Sequence, residues 1–146
     1  MCVFYSLTQK IIFLVILFAS LSMQAKKRKS TSSASLYGTY ELVQQYTDSS
    51  IVSIRFKPTE ITFDKKDNRM NANVGCNSIG GSMNVNGNNV QFLQLLQTKM
   101  FCEGEPNEIE SHFTQNLQAV NMYKFQKNGQ LALYRHNILL IVLKRK

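Results

Sequence analysis

Two histidines, three cysteines and nine acidic side chains are all that this 146-residue chain offers to acid–base, nucleophilic or metal chemistry. That scarcity excludes most catalytic designs. A serine or cysteine nucleophile needs a base beside it, and the only imidazoles are His112 and His136. His112 precedes the apolar position Phe113, which suits the rim of a helix, and His136 stands between Arg135 and Asn137, which suits a hairpin turn. A hydrolase built on Cys102 and His112 would need reduced cysteines. A zinc centre needs three or four clustered ligands, and the acidic group Glu103, Glu105, Glu108 and Glu110 lacks the loop spacing of an EF-hand calcium site. The chain therefore reads as a non-enzyme with no cofactor and no metal. Long apolar runs are lacking too. The stretch from Ile11 to Leu21 is about half of the ~20 residues a membrane-spanning helix requires. No period of solenoid length recurs.

That short run has a recognisable setting. Lys10 precedes it and small residues follow it, the pattern of a signal peptide over residues 1–25, cut after Ala25 or Ser22. The competing reading is an uncleaved anchor whose basic flank stays cytoplasmic. Residues 26–35 form a linker: Lys26, Lys27, Arg28 and Lys29, then a serine-rich stretch too poor in apolar groups to order itself. The four cations could touch an anionic membrane. Net charge is +8, but from Leu36 onward 12 basic residues face 9 acidic ones, so the folded part carries little of the excess and no nucleic-acid partner is expected. Export removes Cys2 and leaves Cys76 and Cys102. An even pair in an oxidising compartment favours a disulfide.

Residues 36–146 form one domain. Short alternating stretches separated by turn residues predict strands at 38–44, 53–56, 60–63, 70–74, 81–85, 89–93, 122–126, 130–134 and 138–143. Asn86-Gly87 and Asn128-Gly129 suit type I′ hairpin turns, with positive φ at both central positions. Ile109, Phe113, Leu117 and Val120 recur at helical spacing, with Pro106 early in the helix and Glu105, Glu108 and Glu110 opposing its dipole. The fold class is mainly β (α+β): a curled antiparallel sheet or incomplete barrel of about eight strands with one packed α-helix.

The glycines of 75–81 invite a phosphate-loop reading, but Gly81 stands where a Walker lysine belongs and a strand pattern follows, so they read as a tight bend. Gly75-Cys76-Asn77, Gly80-Gly81, Thr98 to Cys102 with Met100 between, then Glu110, Phe113, Leu117 and Tyr123 occur in an order that resembles the META domain, also called HslJ-like. The likeness covers 36 to 143, including Gly38 to Leu42, where the family usually carries tryptophan in place of Tyr40. It implies a curled antiparallel sheet with one helix, structural roles for Gly75, Asn77, Gly80, Gly81, Thr98, Met100, Glu110 and Phe113, and links to envelope stress or virulence rather than to catalysis. It also implies a hydrophobic groove, by similarity to lipid-binding pilot proteins. The run from Ile138 to Leu143 is apolar on both faces, where an antiparallel sheet needs one buried face. Leu139, Ile141 and Leu143 are the expected wall of a groove for a lipid-like ligand or peptide. The competing reading has both faces covered by the protein itself, and the competing function is a structural envelope factor acting through protein contacts.

Overall fold

The structure is a computed structural model that describes residues 35–47, 50–53, 59–101 and 103–146. The expected signal segment, the cations Lys26, Lys27, Arg28 and Lys29, and Cys102 lie outside the described residues. The element order is β1 (Gly38–Tyr46), β2 (Ile51–Ser53), β3 (Glu60–Asp64), β4 (Arg69–Asn73), β5 (Ser78–Asn86), β6 (Asn89–Gln97), α1 (Glu105–Ala119), β7 (Met122–Phe125), β8 (Leu131–Arg135) and β9 (Ile138–Arg145).

These nine strands form one antiparallel sheet among the described residues. From β3 to β9 each strand pairs with the next in sequence, and β1 closes the curl by pairing β3 through residues 38–40 and β9 through residues 40–45. β2 adds to the far end of β1 opposite residues 44–46. The thinnest seam is β6–β7, where Asn89 faces Met122 and the register goes no further. The chain between those two strands is α1, whose buried residues include Ile109, Phe113 and Leu117.

Period-2 alternation fixes which side chains enter the core. Ile61 and Phe63 on β3 oppose Ala72 and Met70 on β4, and all four are buried. Phe63 contacts Tyr40 and Phe92 with ring centroids 5.6 and 5.7 Å apart. Phe113 and Leu117 of α1 join the same cluster, as do Ile141 and Leu143 of β9. Tyr40 uses its hydroxyl. It donates towards the carbonyl oxygens of Leu36 and Ser35 at 2.9 and 3.0 Å and accepts from Arg145 Nη2 at 2.7 Å, with the guanidinium 4.9 Å from the ring centre.

Several boundaries differ from the sequence-based expectation, each for a local reason. β5 begins at Ser78, because Gly80 and Gly81 lie within the strand opposite Asn71 and Met70 and have no side chains to reveal the alternation. β6 continues to Gln97 through a bulge after Leu93, where Gln94 takes φ 52° and shifts the alternation. Of the expected strand at 53–56, Ser53 is the last residue of β2 (Ile51–Ser53), and residues 54–56 lie outside the described residues. The Asn-Gly turns are also displaced. Asn86 is the last residue of β5, paired with Asn89, so only Gly87 of that dipeptide has positive φ, at 59°. At the second, Gly129 N–H donates to Gln126 O and Gly129 alone has positive φ, 82°, as in a turn closed by a left-handed glycine.

Candidate functional site: a locked bend and an amphiphilic depression

The bend between β4 and β5 is held by one carboxylate. Glu110 lies in the second turn of α1, beside the apolar stripe, and is 1% exposed. Its Oε2 accepts from the backbone N–H of Cys76 at 2.8 Å and from that of Asn77, and its Oε1 accepts from Asn77 Nδ2 at 2.9 Å and from Gln97 Nε2. A carboxylate offers acceptors only, which is what four converging donors require. The expectation that Glu110 opposes the helix dipole is corrected: Glu105 and Glu108 occupy the first turn, whereas Glu110 is committed to the bend.

Asn77 completes the lock. Its Oδ1 accepts from Met100 N–H at 2.7 Å and Thr98 Oγ1 at 2.9 Å, so its amide orientation is determined by the network. Thr98 Oγ1 in turn accepts from Ser78 N–H at 3.1 Å. Gly75 is required by contact: a Cβ there would stand 2.3 Å from Pro106 O and 3.0 Å from Glu110 Cβ. The structure thus brings Gly75, Asn77, Thr98, Met100 and Glu110 together. Gly80 and Gly81 stand apart in β5, where a Cβ on Gly81 would meet Leu95 Cδ2 at 2.7 Å, and Phe113 is in the core. The reading of 75–81 as one glycine-permitted bend is therefore narrowed to Gly75. Cys76 Sγ lies 3.9 Å from Met100 O, two residues before Cys102 in sequence. Among the described residues no group of three or more His, Cys, Asp or Glu side chains could hold a metal ion.

The expected groove is corrected. Ile141 and Leu143 are fully buried in the core and cannot wall an open groove, because a bulge in the β8–β9 register between Leu133 and Tyr134 places them inside the curl. Leu139 does line open space. It belongs with Ile138 and Leu140 to a depression of about 700 Å³ between α1 and the start of β9, to which α1 contributes His112 and Asn116 and β8 contributes Arg135. The Arg135 side chain makes no ion pair or hydrogen bond among the described residues. Asn116 Nδ2 donates to Tyr46 O at 3.0 Å, tying the helix to β1 at the depression's edge.

The sequence reading missed a second apolar surface. Leu96, Met100 and Phe101 are 75%, 60% and 87% exposed, on the segment whose backbone the Asn77 network holds. The available signal was the apolar content of 92–101 beyond the expected end of β6.

A curled antiparallel sheet with one helix, locked to it by a buried carboxylate, defines a small β-rich domain. The chain belongs to the META domain family, whose model matches residues 34–146. Two solved structures share the fold. One, the NMR structure of a protein from Burkholderia xenovorans, is 17% identical, with a TM-score of 0.62 over 75% of this chain and 81% of that one. Another NMR structure is 19% identical, with a TM-score of 0.53 over 74% of this chain and 88% of that one. No curated protein matches the chain.

Proposed function

We propose that the chain is an exported, non-enzymatic binding module that seats a lipid-like amphiphile between α1 and β9. The observation that carries this reading is the depression itself: an apolar wall of Ile138 and Leu139 beside Arg135 and His112, in a volume within the range of small-molecule sites. A ligand with an apolar chain and an anionic end satisfies both parts at once. Export is supported by Lys10 ahead of a short apolar run. A Cys76–Cys102 bridge accompanies it in this reading, supported by Cys76 Sγ lying 3.9 Å from Met100 O, two residues before Cys102 in sequence. Solvent extraction of the purified protein followed by mass spectrometry tests the reading. A co-purifying amphiphile that is absent from Leu139→Asp protein is expected, and a clean extract from protein that also fails to bind a fluorescent fatty acid would overturn it.

The second reading, an envelope or stress- and virulence-associated factor working through protein contacts, is favoured by Leu96, Met100 and Phe101. Large apolar side chains exposed together on a held backbone are what interaction surfaces present. Phe101→Ser should abolish such contacts and leave amphiphile binding intact.

A further inference from the structure

Beside the β5–β6 hairpin, where β7 and the β8–β9 turn approach it, lies a separate depression of about 420 Å³. Its polar lining is neutral: Asn84, Asn86, Asn89, Gln91, Asn121 and His136. Half-buried Met122, paired with Asn89, supplies apolar surface. It shares no lining residue with the α1–β9 depression.

Three observations set this surface apart from an ordinary solvated sheet face. Asparagine is depleted in strands, yet Asn84 pairs with Gln91 and Asn86 with Asn89, which places four amides on one face of the hairpin. None of the four makes a side-chain hydrogen bond to the protein among the described residues. His136 occupies the first position of the β8–β9 turn with φ 54°, a conformation that glycine or asparagine would adopt with less strain. Its ring is also oriented. Asn121 Oδ1 accepts from His136 N–H at 2.8 Å, so Asn121 Nδ2 is the donor to His136 Nδ1 at 3.2 Å, and the ring proton resides on Nε2.

We infer that this depression is a binding site for a neutral, hydroxyl-rich ligand, a sugar. Each amide offers a donor and an acceptor side by side, which matches hydroxyl groups that both give and take hydrogen bonds. His136 adds an N–H donor, and Met122 suits the C–H face of a pyranose ring. A charged ligand finds no counter-charge in the lining, so its desolvation would go uncompensated.

The test is a titration of the full chain, with the side-chain amide signals followed by NMR and maltotriose, cellotriose, N,N′-diacetylchitobiose and, as the charged control, glucuronate as probes. At least one neutral probe should move the Asn84, Asn86, Asn89 and Gln91 signals saturably in about the millimolar range, with glucuronate weaker. His136→Gly relieves backbone strain, and Asn84→Ala with Gln91→Ala changes only exposed positions, so both variants should keep the wild-type melting temperature. Each should bind about tenfold more weakly. Unmoved amide signals with all three neutral probes, or unchanged affinity in folded His136→Gly protein, would overturn the assignment.

Discussion

Replacing Glu110 with alanine removes one carboxylate and leaves four donors without their acceptor. The donors do not suffer equally. Gln97 is exposed and Cys76 half-buried, so their groups can turn to water, whereas Asn77 is 3% exposed: its backbone N–H would stay dry and unpaired, and its Nδ2 would keep only Met100 O at 3.4 Å. One unsatisfied buried donor and one left under-satisfied, at up to about 1–3 kcal/mol each, give an expected loss of about 2–4 kcal/mol, a large share of the ~5–15 kcal/mol that holds a single domain together. Glu110→Gln is the sharper variant because it preserves shape. Its NH₂ cannot face the two backbone N–H groups, so it must replace Oε1 opposite Asn77 Nδ2, and Asn77 cannot flip because Oδ1 is held by Thr98 and Met100. A loss of about 2 kcal/mol is expected. Urea unfolding of the two variants, of Asn77→Ala and of the double change Asn77→Ala with Glu110→Ala measures all of this. The two sites should couple by more than about 1 kcal/mol. Glu110→Gln within about 0.5 kcal/mol of wild type, or additive single losses, would refute the lock.

Gly75→Ala should destabilise the domain by about 2 kcal/mol or more, read as a shifted urea midpoint, because the new Cβ meets backbone at Pro106 O rather than a flexible side chain. Burial raises the pKa of Tyr40 above the ordinary tyrosine value, against a smaller opposing pull from Arg145. The unfolded tyrosine therefore ionises first, and its contribution to stability is complete below about pH 10 and falls as pH rises beyond that. Tyr40→Phe should abolish that alkaline loss in melting curves while costing about 1–2 kcal/mol at neutral pH through the bonds to Leu36 and Arg145. If Cys76 and Cys102 are bridged, reduction adds the mass of two hydrogens, and Cys76→Ser and Cys102→Ser each cost about 3–4 kcal/mol with little added by the double change. Additive losses would argue for separate thiols.

The strands most legible in sequence were those whose alternation is carried by large side chains, such as Ile61 and Phe63 on β3 and Met70 and Ala72 on β4. Alternation failed where it has no side chain to show, at Gly80-Gly81, and where a bulge resets its phase, at Gln94 and before Ile141. That second failure cost the groove: Leu139, Ile141 and Leu143 share one face only under an unbroken count. Glu110 was legible as a motif residue but not in its task, because an acid early in a helix has a sufficient dipole explanation. The overlooked signal was spacing, since Glu110, Phe113 and Leu117 follow one another by three and four residues, which puts the carboxylate along the apolar stripe. Gln45 gave no signal at all. It is buried on β1, donates to Ile109 O at 3.0 Å, and its Oε1 has no hydrogen-bond partner among the described residues.

Mapping where a single-chain amphiphile contacts the protein in solution tests the proposed binding role most directly. With a fatty acid below its micelle concentration, NMR shifts and ligand-to-protein nuclear Overhauser effects should converge on His112, Asn116, Leu139 and Leu140, and Arg135→Ala should weaken an anionic amphiphile more than a neutral one of equal chain length. Contacts confined to Leu96, Met100 and Phe101, or no saturable contacts at all, would contradict the binding of a lipid-like ligand between α1 and β9.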